Sequence, residues 1–133
     1  MTEAEQARLE AEEAARIAEI EAEIKALEAL KVVYENAKSE IEGVKSETEG
    51  NQERSNALIQ QLESFDEKIN RNHFFKGIIA EDVSQYFCTL TDEVVEMRAS
   101  INGMVCSLIG QSSVISQKIQ LINFKIADLR SQL

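Results

Sequence analysis

From Ile17 the apolar positions recur every three or four residues: Ile17, Ile20, Ile24 and Leu27, then Leu30, Tyr34, Ala37, Ile41 and Val44. Such steps keep side chains on one side of an α-helix, so the run predicts an amphipathic helix with a narrow, coiled-coil-like stripe. Leu27 to Leu30 is the one irregular step. Before Ile17 the chain is mostly Ala and Glu, and residues 1–15 are expected to form a solvated or frayed helix. The stripe resumes at Leu58, Leu62, Phe65 and Ile69, then stops at the polar "NRNH" of Asn70–His73. Between the two runs, "KSETEGNQERSN" (Lys45–Asn56) holds no large apolar residue. Gly43 and Gly50 each weaken helix here by about 1 kcal/mol relative to alanine. The segment reads equally as a break or as an exposed helical bridge whose apolar partner is another molecule.

After Gly77 comes the longest periodic run. Val83, Phe87, Leu90, Val94, Met97 and Ile101 step by four and three, and Val105, Leu108, Ser112, Ile115, Ile119, Ile122, Ile126, Leu129 and Leu133 continue the pattern. Two successive steps of four, Met97–Ile101–Val105, predict a stutter that locally unwinds a supercoil. A helix over about residues 80–133 would be roughly 80 Å long. Gly103 and Gly110 within it cost helix propensity or admit a neighbouring backbone.

One apolar stripe per helix cannot be left in water. The simplest solution folds the chain once at "NRNHFFKG", so that the stripes face each other. The expectation is therefore an all-α, elongated antiparallel helical hairpin, a single domain over residues 1–133 with its turn at about residues 70–80. A hairpin buries a thin seam rather than a thick core and is inclined to recruit further helices. Val83, Phe87, Leu90, Val94, Met97 and Ile101 are the candidate residues for that recruitment.

Composition agrees. The 133 residues include no proline and only 5% aromatics, and side chains such as Ala, Glu, Leu, Lys and Gln lose little freedom on a helix. The net charge of −10 is uneven: residues 1–60 hold 15 acidic and 7 basic side chains, residues 61–133 hold 9 and 7. An acidic surface repels phosphate backbones and anionic lipid, so neither nucleic acid nor a membrane surface is expected as a partner. With no run approaching roughly 18 apolar residues, no membrane insertion is expected either. The opening "MTEAEQARLEAEEAARIAEIEAE" lacks an apolar signal region, so no Sec signal peptide is read there and a cytoplasmic location is expected, with any export by another route.

Cys88 and Cys106 lie 18 residues apart on one predicted helix, roughly 27 Å, too far for an internal disulfide. They are expected to be buried thiols in a reducing compartment. The sole histidine, His73, falls in the presumed turn and reads as an exposed or capping residue. No Cys or His stands near it at metal-ligand spacing, and there is no phosphate loop or nucleophile motif. No catalytic, cofactor-binding or metal-binding residue is assigned, and an enzyme is not expected.

Phe75-Lys76-Gly77, followed by Ile78-Ile79-Ala80, resembles the Trp-x-Gly turn of the small WXG-type helical hairpin proteins exported by type VII secretion. Phe75 takes the aromatic position, Gly77 the glycine, and Ala80 the small residue at the start of the second helix. The chain has no Trp and is longer than the usual hairpin of that family. It is more similar to the small α-helical accessory proteins that accompany LXG-domain toxins in Gram-positive bacteria. "FKIAD", Phe124 to Asp128, matches the F-x-x-x-D form of the type VII export signal, its two ends stacked at i and i+4. The resemblance implies a targeting or chaperone partner that binds the N-terminal helices of an LXG toxin, with or without a second small helical accessory protein. The complex would present a composite signal to the secretion ATPase, and the protein itself could be co-exported.

The alternative is a structural homo-oligomeric coiled coil built on the same stripes. The polar gap at Lys45–Asn56 and the interior glycines discriminate between the two readings, since a homomeric coiled coil gains nothing from either.

Overall fold

In a computed structural model of the protein, residues 2–71 and 78–133 are described, with side chains described over 2–68 and 81–133. The described residues form two α-helices, α1 (Glu3–Arg71) and α2 (Ile78–Ser131), packed antiparallel as a helical hairpin. The polar segment Lys45–Asn56 is helix, not a break. A reciprocal cap holds the start of α1: Glu5 N–H donates to Thr2 Oγ1 (3.2 Å), and Thr2 N–H donates to Glu5 Oε2 (3.1 Å). That exchange satisfies two backbone donors that a helix start otherwise leaves open.

Packing divides the chain into two compact units, Met1–Ile41 with Gln111–Leu133, and Glu42–Gly110. The first follows the rule of an apolar seam with charged flanks. Ile20 and Ile24 of α1 bury against Ile122, Ile126 and Leu129 of α2, with Leu27 and Tyr34 packed on the cluster. Beside this seam Lys125 meets Glu23 at 3.5 Å and Arg130 meets Glu28 at 2.6 Å. Arg16 donates to the Gln132 carbonyl at 3.2 Å, a cation where the C-terminal end of α2 is negative. It also holds Glu13 at 2.6 Å, and this hydrogen bond keeps the Glu13 carboxyl below its ordinary range. Any stability from that exposed pair is present above the unfolded glutamate pKa and is lost as pH falls through the lower folded value.

The second unit breaks the rule. Its α1 positions facing α2 are Lys45, Thr48, Gln52, Ser55, Ile59 and Leu62, of which only the last two are apolar. Thr48 and Ser55 are buried, and each hydroxyl bonds back to its own helix: Thr48 Oγ1 to the Val44 carbonyl (2.7 Å), Ser55 Oγ to the Gln52 carbonyl (2.8 Å). Across the seam run polar links, Gln52 Nε2 to Asn102 Oδ1, Arg98 Nη1 to Asn56 Oδ1 (3.2 Å), and Ser84 Oγ to Asp66 Oδ1 (2.8 Å). No buried side-chain N or O among the described residues lacks a partner.

Two expectations are corrected. The seam positions of α2 run Phe87, Thr91, Val94, Arg98, Ile101, Val105, strict alternation of four and three, so there is no stutter at Met97–Ile101–Val105. A pattern read from apolar residues alone selected Met97, which is 48% exposed, where half-buried Arg98 holds the seam. Cys88 and Cys106 are both exposed, because they stand beside and behind the seam rather than in it.

Ile126→Ala, at one of the tightest points of the first unit, should cost about 2–4 kcal/mol. Ser55→Ala should be neutral or stabilising by a few tenths, since it removes a self-satisfied hydroxyl and gains helix propensity. Urea unfolding of both variants checks this pair. Both thiols should react stoichiometrically with an aromatic disulfide reagent in the native protein, without denaturant.

Candidate protein-interaction surface

Writing the repeat as abcdefg with the seam at a and d, the g side chains of two antiparallel helices lie together on one side of the seam. In the Glu42–Gly110 unit these are Val44, Asn51, Leu58 and Phe65 on α1, and Val83, Leu90, Met97 and Met104 on α2. Seven of the eight are apolar. Most of them stand open: Val44 is 47% exposed, Phe65 56% and Met104 54%. In this unit one flank carries a row of open apolar side chains, while polar residues occupy much of the α1 side of the seam.

The flank is not smooth. A hollow of about 280 Å³ opens between the helices, lined by Leu58, Met97 and Ile101 with Asn51, Arg54 and Ser55 on its α1 side. It exists because Ser55 is too small to fill the space beside Ile101. Nearer the ends of this unit Phe65 stacks parallel to Phe87, ring centroids 6.1 Å apart, and Tyr86 meets Phe87 edge-on at 6.1 Å. Lys68 sits 5.8 Å over the Phe65 ring. On the opposite flank a smaller hollow of about 140 Å³ is lined by Glu63, Asp66, Phe87, Cys88, Thr91 and Asp92. Its walls are polar and acidic, which does not favour an apolar occupant.

The interface candidates divide on this geometry. Phe87, Val94 and Ile101 belong to the seam, whereas Val83, Leu90 and Met97 belong to the flank, Met97 being the most open. Val44, Leu58, Phe65 and Met104 complete that flank; apolar periodicity alone places the first three in the stripe and leaves out Met104. Their signal is a spacing of seven, Val83-Leu90-Met97-Met104, which a search for steps of three and four merges into the seam.

In the other unit Phe124 and Asp128 both stand on the outer face of α2, away from the Ile122–Ile126 core, with Phe124 73% exposed. Phe124 lines a shallow hollow with Gln120, Asn123 and Ala127. Asp128 Oδ2 accepts a 3.4 Å hydrogen bond from Gln132 Nε2 and makes no contact that ties α2 to α1. Phe75 and Gly77 lie outside the described residues, as does His73; Ala80 is helical, and its side chain lies outside them.

Among the described residues no group of His, Cys, Asp or Glu side chains is placed to hold a metal ion, and no helix is long and apolar enough to cross a membrane. Comparison with family models, with curated proteins and with solved structures returns no match.

Proposed function

We propose that this protein is a non-enzymatic helical adaptor, a targeting or chaperone partner for the N-terminal helices of an LXG-type toxin bound for type VII secretion. The observation that supports this reading best is the open apolar flank of the Glu42–Gly110 unit. Its spacing of seven matches what an added helix presents, and its hollow beside Leu58 and Met97 can take a large side chain. Partner helices laid there would bury side chains that the hairpin leaves in water.

Phe124 and Asp128 supply the second part of the reading. They are exposed, one turn apart, and the fold does not use them. A carboxylate near a helix C-terminus is unfavourable to the macrodipole, so Asp128 is not there to hold α2. A role as an address read by the secretion ATPase accounts for both side chains.

Asp128→Ala and Phe124→Ala should each leave stability within about 0.5 kcal/mol of the parent, as befits exposed sites. Both should retain toxin binding in a pull-down while lowering toxin export from the producing cell. Normal export with both changes would reject the signal. Loss of binding would reassign the pair to the toxin interface.

A further inference from the structure

The hairpin leaves the apolar flank open, and its rim indicates what fits over it. The c positions bordering it are Glu47, Arg54, Gln61 and Lys68 on α1, and Tyr86, Glu93 and Ser100 on α2. The two helices carry complementary borders: the cations of this flank, Arg54 and Lys68, are on α1, while Glu93 and the neighbouring Glu96 are on α2. Contacts within the unit fix the levels. Gln52 touches Asn102, Asn56 touches Arg98, and Phe65 stacks on Phe87. Arg54 is therefore level with Ser100, one turn from Glu96. Lys68 is level with Ser84, half a turn from Tyr86, and Gln61 is level with Glu93.

We propose that the free protein covers this flank with a second copy of itself, as a two-fold dimer in which α1 of each copy lies over α2 of the other. A two-fold axis running along the helices preserves those levels between copies. It then brings Arg54 within reach of Glu96, Lys68 near Tyr86 and Glu93 beside Gln61, with no like charges opposed. Size agrees. Val44 to Phe65 spans about 32 Å, and two helices 8–10 Å apart present a face about 20 Å wide, roughly 600 Å² in all. That approaches the ~800 Å² per partner of a standard interface, and it suits a two-helix occupant better than a single helix. Apolar burial supplies the affinity and the charge pattern sets the pairing. This dimer stands whether or not the toxin reading does, since it concerns the protein alone.

The test is sedimentation equilibrium of the full chain from low-micromolar to near-millimolar concentration, with circular dichroism alongside. The parent should move from 14.9 kDa to twice that mass. Leu58→Glu with Met97→Glu should remain monomeric and helical, and Val32→Glu, at an exposed site in the other unit, should dimerise as the parent does. Arg54→Glu should weaken the dimer about tenfold, and adding Glu96→Arg should restore it. A parent that stays monomeric overturns the proposal, as does a dimer untouched by the Leu58→Glu, Met97→Glu double change. Failure of Glu96→Arg to rescue overturns the two-fold arrangement.

Discussion

Two helices make one seam, and a seam hides only the side chains at two positions in every seven. Whatever apolar area a hairpin carries beyond those positions stays in water unless another helix covers it. This limit separates the two units of the protein. In Met1–Ile41 with Gln111–Leu133, isoleucine and leucine fill the seam, and ion pairs such as Glu23–Lys125 close its sides. In Glu42–Gly110 the seam mixes Thr48, Gln52, Ser55 and Arg98 with apolar residues such as Ile59, Leu62 and Ile101, and a further apolar row stands at its flank. The first unit has the better-filled seam, with Val33, Leu121 and Phe124 left open on its outer faces. The second is the part that gains from more.

Polar residues in a seam are costly to expel and cheap to satisfy locally. Thr48 and Ser55 turn their hydroxyls to their own helix, and Gln52 and Arg98 meet amides opposite. The two cross-helix links contribute little net stability but resist slippage, because a shift of register would strand the Gln52 and Arg98 donors from their acceptors. The stacked Phe65 and Phe87 rings add a contact that works from the edge of the seam inward. The unit is thus aligned by its polar links and remains open to a partner along its apolar side.

Most of the fold was legible in the sequence. Ile20, Ile24, Ile122, Ile126 and Leu129 sit where a spacing of three and four places them, and they are the buried core. The middle of α1 was not legible, because apolar periodicity is silent where the seam is polar. Lys45–Asn56 has no apolar stripe to read, yet Thr48, Gln52 and Ser55 keep the heptad step unbroken. The same blindness put Met97 in place of Arg98, and it took Cys88 and Cys106 for core because free cysteines usually are. For the candidate surface, Val83, Leu90 and Met97 read in the sequence as one stripe with Phe87, Val94 and Ile101, and Leu58 as part of the α1 stripe. That these flank residues form a row with Met104 becomes visible only when the antiparallel pairing brings the two g positions together.

The central claim is that the Glu42–Gly110 unit, with its part-polar seam, is completed by another chain, whereas Met1–Ile41 with Gln111–Leu133 is held by its own apolar seam. Amide hydrogen exchange of the full protein, resolved by segment, measures this directly. In dilute solution the account predicts strong protection over residues 17–37 and 115–129 and weak protection over 45–66 and 84–108, since opening is governed by local burial. Concentrating the protein, or adding a helical partner, should raise protection in the second pair of segments alone. Equal protection of both units in dilute solution, unchanged by concentration, would contradict the account.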